Sequence, residues 1–336
     1  MNADKASDTF LWITEADVAQ LVSMLAAIDA VERGLLLEAR GGAQNMLKTH
    51  LAWGSGNTLH ALGAAFPGSG FVGTKTWAHT EAGATPLLIL FDATSGALKA
   101  VIEAFVLGQL RTGAVSGVAT RLMAAKDAAE LAIVGTGRQM LSQVAAVAAV
   151  RRLDRVRVFS PNAAHRTQAV QRLRDTLEID ASEAASVQAA VEGAPIVTLA
   201  TRARQPFLSA GMVRRGAHIN TIGAITPERA EFAGDLLARC ASVVVDSVAA
   251  ARKLSREFID YYGDSEARWQ SITALSTLVA QRTTRPAGAD VTLFKAMGMG
   301  VADLAVGIEV YERAVRHDLG TRLTAPQRRG PEVSRT

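Results

Sequence analysis

The sequence predicts an α/β protein built around a parallel β-sheet, and two observations support this fold class. Short apolar runs of β-type residues recur at 156–159, 196–200, 219–222 and 243–245, without alternation of polar and apolar positions. Helix-like segments such as 163–177 separate most of these runs. Strands that are apolar on both faces and are separated by helices indicate a parallel sheet covered on both sides.

A glycine-containing turn follows an earlier apolar run. The run that begins at Leu131 ends on Gly135, turns through Gly137 and enters an Ala-rich segment with helical character. A strand–turn–helix of this kind can bind a pyrophosphate at the helix N-terminus. Met140 occupies the position of the third glycine of the usual fingerprint, so a purely structural turn is the alternative interpretation. Because dinucleotides bind at the carboxyl ends of parallel strands, we predict a Rossmann-type domain over residues 115–300.

The N-terminal third has a different pattern. After a β-like start, Thr14 can cap a helical region that continues to about residue 40. Residues 47–91 are rich in Gly, Thr and short apolar runs, which is typical of antiparallel strands. The segment 87–102 predicts a β-hairpin. A helix over about 108–125 then leads into the parallel sheet.

Composition excludes several classes of function. No apolar run among the 336 residues approaches the ~18 residues of a membrane span, and the polar N-terminus predicts a cytoplasmic protein without a signal peptide. The single cysteine excludes an intramolecular disulfide, and the histidines lack metal-ligand spacing, so no metal is expected. The net charge of +4 is scattered along the chain, and this predicts no nucleic-acid binding.

Two cations lie in apolar surroundings. Lys75 is the only Lys, Arg, Asp or Glu between residues 49 and 80, and Arg111 is the only one between Glu103 and Arg121. Each is either a side chain that extends to water along its aliphatic stem or part of a cleft for an anionic substrate. Arginine binds a carboxylate through two parallel donors, and a desolvated lysine can donate a proton.

Taken in chain order, these segments resemble the ornithine cyclodeaminase/mu-crystallin family. The matching segments are residues 73–75, 110–116, 133–139, 216–223, 243–246 and 291–298. The resemblance implies a homodimer with a discontinuous α+β outer domain. This domain comprises residues 1–114 and 301–322 around the Rossmann domain, and residues 323–336 have the composition of a disordered tail.

The resemblance also implies roles for three cations. Lys75 and Arg111 match the positions that bind the substrate carboxylate, and Lys48 stands near the position of a third family arginine. A lysine keeps the charge there but loses the two-pronged donor geometry. Lys75 and Arg111 are therefore the predicted catalytic residues, and Lys48, Lys75 and Arg111 are the predicted substrate-binding residues.

One position departs from the cyclodeaminase pattern. Cyclodeaminases carry a catalytic aspartate two residues past Gly223, where this chain has Ile225. An isoleucine neither accepts a proton nor stabilises an ammonium group. We therefore predict an NAD(P)H-dependent oxidoreductase that acts on CH–NH or CH–NH2 groups of a small amino or imino acid. The reaction types are ketimine or pyrroline-2-carboxylate reduction and amino-acid dehydrogenation, with Lys75 as the candidate proton donor.

Two alternatives belong to other classes. One is a cyclodeaminase in which Glu231 or Asp235 replaces the missing aspartate. The other is a non-catalytic protein of the mu-crystallin type that binds NADP or another small ligand.

The predicted cofactor is NADP(H), with NAD(H) as the alternative. The second strand of the dinucleotide domain lacks the terminal acid that binds the NAD ribose, and hydroxyl, amide and cationic groups follow it. Such groups fit a 2′-phosphate, although Arg166 can also be read as a solvated helix residue. The predicted cofactor-binding residues are Thr112, Gly135, Thr136, Gly137, Arg138, Gln139, Ser160, Asn162, Arg166, Thr201 and Ile222.

Overall fold

The computed structural model describes residues 8–327 and 329–331, and it forms two β-sheets with helices between and around them. The strands are β1 Thr9–Ile13, β2 Gln44–Asn45, β3 Thr49–Trp53, β4 Asn57–Phe66, β5 Phe71–Thr80, β6 Gly83–Ala84, β7 Leu87–Asp92, β8 Leu98–Glu103, β9 Glu130–Val134, β10 Arg155–Phe159, β11 Ala181–Glu183, β12 Ile196–Leu199, β13 His218–Thr221, β14 Cys240–Val245, β15 Ile272–Ala274, β16 Val291–Lys295 and β17 Thr321–Thr324. The helices are α1 Glu15–Leu21, α2 Met24–Ala39, α3 Phe105–Met123, α4 Met140–Val150, α5 Ala163–Leu177, α6 Val187–Val191, α7 Asp235–Arg239, α8 Val248–Leu254, α9 Arg256–Tyr262, α10 Glu266–Trp269, α11 Leu275–Gln281 and α12 Gly300–His317.

Strands β9 to β16 form a parallel sheet in the order β11-β10-β9-β12-β13-β16-β14-β15. The chain moves outward from β9 to β10 and β11, then returns to β12 on the other side of β9. This reversal leaves a crevice at the carboxyl ends of β9 and β12, where such sheets bind ligands. The α/β class and the predicted strands β10, β12, β13 and β14 are therefore confirmed.

Strands β1 to β8 and β17 form a second, mainly antiparallel sheet in the order β17-β1-β8-β7-β5-β4-β2, with β3 on β4 and β6 on β5. The predicted hairpin is confirmed, because β7 pairs antiparallel with β8. The predicted cap of α1 is also confirmed. The Thr14 hydroxyl accepts the N–H of Asp17 at 3.3 Å, and the Asp17 carboxylate accepts the N–H of Thr14 at 2.9 Å.

Helices α2, α3 and α12 pack together between the two sheets. Their buried faces contribute Ile28, Val31, Val118 and Val306 to the core that the antiparallel sheet covers. Helix α12 also packs on β4 and β5, so the C-terminal region joins the N-terminal sheet. None of the helices in the described part of the chain is long and apolar enough to cross a membrane.

The structure differs from the sequence predictions in three strands and two boundaries. Strands β11, β15 and β16 of the parallel sheet are not among the apolar runs found in the sequence, and β16 lies between β13 and β14. Helix α3 begins at Phe105, three residues early, because the Glu15 carboxylate accepts the N–H groups of Phe105 and Val106 at 2.6 and 2.7 Å. Strand β17 pairs with β1 as far as Thr324, two residues into the tail predicted from residue 323. Residues 328 and 332–336 of that tail lie outside the described residues, and the predicted domain limits stay predictions.

Candidate active site

A cavity of about 670 Å³ opens at the carboxyl ends of the parallel strands, beside the antiparallel sheet. It brings together most of the residues predicted from the sequence. These are Lys48, Arg111, Thr112, Gly135, Thr136, Gly137, Arg138, Gln139, Ser160, Thr201 and Ile222. The remaining predicted residues, Lys75, Asn162 and Arg166, do not line it.

The turn after β9 has the geometry of a dinucleotide cradle. Gly135 has a φ of +112°, and a Cβ there would lie 2.5 Å from the carbonyl oxygen of Ala200, so the turn requires glycine. A Cβ on Gly137 would meet open space, which leaves room for a ligand to approach the backbone. Within the described part of the chain, no side chain caps the following helix, α4. Its first N–H groups therefore fit the pyrophosphate of a nicotinamide dinucleotide.

The end of β10 places the predicted 2′-phosphate residues at the edge of this cavity. The Ser160 side chain lines it, whereas Asn162 caps α5 by accepting the N–H of His165 at 3.1 Å. The Arg166 guanidinium donates to the carbonyl oxygen of Ser160 at 2.8 Å and to a Glu183 carboxylate oxygen at 3.3 Å. Arg166 is thus held beside Ser160 and is not a freely solvated helix residue.

Lys75, Arg111 and Asp303 form a charge cluster where α3, α12 and β5 meet. The Lys75 Nζ donates to Asp303 Oδ1, and the Arg111 Nε lies 3.2 Å from the same oxygen. Asp303 is fully buried and its Oδ2 has no hydrogen-bond partner among the described residues. Burial, opposed by the charge of Asp303, lowers the pKa of Lys75 to about 8. At neutral pH Lys75 is therefore still mostly an ammonium group, and its pKa lies about one unit higher.

Lys75 lies behind the wall of the cavity. Its Nζ is 5.3 Å from the ring centre of Trp77, which lines the cavity, as does Arg111. Asp303 is not among the residues predicted from the sequence. Its isolation could have identified it, because it is the only acid between residues 291 and 308, in a stretch that is otherwise largely apolar.

One carboxylate, of Asp246, and one side-chain amide, of Asn45, bind backbone N–H groups in the wall of the cavity. Asp246 is buried and accepts the N–H groups of Met297 and Gly298 at 2.8 and 2.7 Å. Asn45 accepts the N–H of Val301 at 2.9 Å, which ties the segment before Lys48 to the start of α12. Burial raises the pKa of the Asp246 carboxyl, and the backbone donors oppose that shift.

The position of the missing cyclodeaminase acid is apolar in space as well as in sequence. Ile225 lines the cavity, and the described lining residues include no Asp or Glu. The two candidate substitutes lie elsewhere: Glu231 is buried beneath the loops after β12 and β13, and Asp235 accepts the N–H of Ala210 at 3.1 Å. Five cations line the cavity, namely Lys48, Arg111, Arg138, Arg202 and Arg229. The cavity therefore suits an anionic cofactor and an anionic substrate.

Comparison with known proteins gives consistent matches over nearly the whole chain. The model of the ornithine cyclodeaminase/mu-crystallin family matches residues 10–318. The ketimine reductase mu-crystallin of Mus musculus is 31% identical over 226 residues, or 67% of this chain and 68% of that protein.

Two solved structures share the fold. The Δ1-pyrroline-2-carboxylate reductase of Thermococcus litoralis, in complex with NADH and L-proline, superposes with a TM-score of 0.88 and 27% identity over 94% of this chain and 100% of that chain. An archaeal alanine dehydrogenase dimer with bound NAD superposes with a TM-score of 0.86 and 26% identity, over 94% of this chain and 99% of that chain.

Proposed function

Because the chain belongs to the ornithine cyclodeaminase/mu-crystallin family, we propose that it is an NAD(P)H-dependent reductase of a C=N bond α to a carboxylate. One observation carries the proposal. A single cavity joins the glycine turn to Arg111 and Lys48, and no acid lines it among the described residues. The substrates of this class are cyclic ketimines such as pyrroline-2-carboxylate, and imines formed from a 2-oxo acid and an amine. The relatives named above act on compounds of these kinds or on alanine.

Arg111 is the residue that we assign to the substrate carboxylate. Its Nε faces Asp303, while its Nη1 lies toward Gly298 at the cavity wall. One edge of the guanidinium is thus ion-paired with a protein carboxylate, without a hydrogen bond from Nε among the described residues, and the other edge is available to a ligand. Lys48 adds a second positive charge to the same cavity. Fixing the carboxylate in this way orients the adjacent C=N carbon, which lowers the entropic barrier to reaction.

Proton supply is the role that we assign to Lys75, which lies behind the Trp77 wall, so its proton has to pass that wall to reach the substrate nitrogen. Reduction of C=N to CH–NH needs a hydride on carbon and a proton on nitrogen. When bound in the glycine turn, the reduced nicotinamide cofactor supplies the hydride. A lysine whose pKa is near 8 is still mostly protonated at neutral pH, yet it loses its proton more readily than an exposed lysine. Asp303 stabilises the protonated form and holds the side chain.

The arrangement of acids disfavours ornithine cyclodeaminase activity. A diamino substrate brings a second ammonium group, which needs a carboxylate or a base nearby. Ile225 offers neither, and Glu231 is occupied by backbone and hydroxyl donors at 2.7–3.3 Å.

The test is a panel of reactions followed by absorbance of the reduced cofactor. Cyclic imines with a 2-carboxylate, and pairs of 2-oxo acid and ammonia or methylamine, are each offered with NADPH and with NADH. We expect oxidation of the cofactor with at least one imine and formation of the corresponding amino acid. Ornithine is the control, and ammonia and proline are measured. Proline formation from ornithine without net change of the cofactor, or tight cofactor binding with no turnover of any imine, contradicts the proposal.

We also propose a preference for NADP(H). Arg166, stacked 6.0 Å from the Phe159 ring and bonded to the Ser160 carbonyl, lies where β10 ends. A guanidinium beside a hydroxyl is suited to a 2′-phosphate.

A homodimer is the assembly that we propose. On the outer sheet, Leu51 and Leu59 stand opposite each other on β3 and β4, and they are 64% and 44% exposed. Trp53, on the same face of β3, is 42% exposed. Adjacent apolar side chains on an exposed sheet face are typical of a contact surface between subunits.

A further inference from the structure

Glu231 is a buried carboxylate that the reaction outlined above does not use. It is fully inaccessible to solvent and does not line the cavity. Burial raises the pKa of its carboxyl, and the charge of Lys295 opposes that shift. A buried carboxylate is costly to maintain, so its contacts indicate what it contributes.

All four donors to this carboxylate come from the loops that follow β12 and β13. Oε1 accepts the N–H and the hydroxyl of Thr201 at 2.7 and 2.8 Å. Oε2 accepts the N–H groups of Gly223 and Ala224 at 2.9 and 3.3 Å. One carboxylate therefore joins the ends of two neighbouring strands, and Thr201 and Gly223 both line the cavity.

The two loops are also in direct backbone contact. A Cβ on Gly223 would lie 1.9 Å from the carbonyl oxygen of Thr201, so glycine alone allows this approach. A shift of either loop is therefore passed to the other. Beneath them, Glu257 Oε1 accepts the N–H of Glu231 at 3.0 Å and the Nζ of Lys295 at 3.1 Å, which anchors Glu231 to the end of β16.

The position of these loops identifies the half of the cofactor that they meet. The pyrophosphate fits the turn after β9, and the adenosine half extends toward Ser160 at the end of β10. The nicotinamide half must then extend the other way, across the ends of β12 and β13. We propose that Glu231 is a positioning residue that holds Thr201 and Gly223 as the floor beneath the nicotinamide, so that the ring faces the substrate held by Arg111. This inference rests on the proposed function for the identity of the cofactor.

Binding measurements test the inference separately from turnover. Glu231→Gln replaces one acceptor oxygen by an NH2 group that faces N–H donors, so it opens the floor without changing a cavity-lining side chain. We expect the Kd for NADPH to rise by about tenfold or more, while the Kd for 2′-phospho-ADP-ribose, which is the same ligand without the nicotinamide, stays within about threefold. Thr201→Val removes the hydroxyl that donates to Glu231 and accepts the N–H of Ala203 at 3.2 Å, and it leaves the other three donors to Glu231 in place. It should shift the Kd for NADPH in the same direction by a smaller factor, and it serves if Glu231→Gln folds poorly.

The matched control is Asp290→Asn, a carboxylate-to-amide change at the opposite end of the same sheet. Asp290 bonds Arg239 at 2.8 and 3.0 Å and does not line the cavity. Asp290→Asn should lower the melting temperature, because it weakens the contact with Arg239, and it should leave the Kd values of both ligands unchanged. Equal loss of affinity for NADPH and for 2′-phospho-ADP-ribose in Glu231→Gln, or unchanged NADPH affinity, overturns the positioning role. Failure of wild-type protein to reduce any imine contradicts the proposed function alone, because the two Kd values are measured without substrate.

Discussion

The guanidinium of Arg111 is ion-paired with a carboxylate at one edge, and its other edge lies at the cavity. Its Nε faces the buried Asp303, and its terminal nitrogens lie toward Gly298, where the cavity begins. The carboxylate thus sets the orientation of the guanidinium before any substrate arrives. A preoriented arginine loses less conformational entropy when it binds a second carboxylate.

Arg111→Ala should remove this contact. We expect kcat/KM for the best imine substrate to fall by roughly 100-fold or more, because a hydrogen bond to a charged group is worth about 1.5–3 kcal/mol and two are lost. Arg111→Lys should recover little of the loss. Arg121→Ala is the control on the same helix, since Arg121 pairs with Asp29 and Glu32 away from the cavity. Initial rates and the Kd for NADPH are the measurements, and near-normal rates in Arg111→Ala contradict the role.

If Lys75 supplies the proton as proposed, its pKa limits reduction at high pH. Because its folded-state pKa is about 8, the protonated fraction falls as pH rises through 8. We expect kcat/KM for imine reduction to fall about tenfold per pH unit above that value, once the ionisation of the substrate is corrected for.

Asp303→Asn provides the check on that assignment. The charge of Asp303 raises the pKa of Lys75, so its removal should move the descending limb to lower pH. The rates of wild type and variant are measured from pH 6 to 10. A limb that stays at the same pH in Asp303→Asn shows that another group titrates.

At the scale of an element, we propose that β10 and α5 determine the preference between NADPH and NADH. With Arg166 held beside Ser160, we expect NADPH to bind more tightly than NADH by roughly tenfold or more, since a charge-assisted phosphate contact contributes about 1.5–3 kcal/mol. Arg166→Ala should remove most of this difference. Arg172→Ala, an exposed arginine on the same helix, should leave it unchanged. Titrations of each variant with both cofactors decide the matter, and a wild-type preference for NADH contradicts the prediction.

The sequence predicts an element correctly where residues close together in the chain determine its structure. Thr14 caps α1 through its own side chain, and β12 is largely apolar because both of its faces are covered. Strand β16 escaped detection because its five residues include Thr292 and Lys295, which read as polar until buried partners are known. The Lys295 Nζ is fully buried against Glu257, a contact 38 residues distant in the sequence.

In the candidate site as well, some residues could be predicted from their neighbours in the sequence and others could not. The glycine turn and the isolated Arg111 could be identified from nearby residues. Asp303 and Glu231 could not be assigned their contacts, because each acts on segments that only the tertiary fold brings close. Asp303 meets Lys75 across 228 residues of chain.

Assembly is the property that belongs to the whole molecule. The double variant Leu51→Asp/Leu59→Asp places two charges on the apolar face of β3 and β4, where they would be buried at a subunit contact. We expect light scattering after gel filtration to show a mass near twice the 35.4 kDa chain for wild type and near one chain for the variant. Leu25→Asp, at a residue that is 47% exposed on α2, is the control. A monomeric wild type, or a dimeric double variant, contradicts the proposed interface.

The order of the chain also has a consequence for synthesis on the ribosome. In the cluster of Lys75, Arg111 and Asp303, the two cations precede the strands of the parallel sheet in the chain, and the carboxylate follows them. At about 5–20 residues per second, Asp303 is made roughly 10–50 s after Lys75. During that interval Lys75 on β5 and Arg111 on α3 lack their carboxylate, and the N-terminal sheet has an apolar face without α12. Because β16, the strand between β13 and β14, is made just before α12, we expect both layers of the molecule to be completed only when this last segment has emerged.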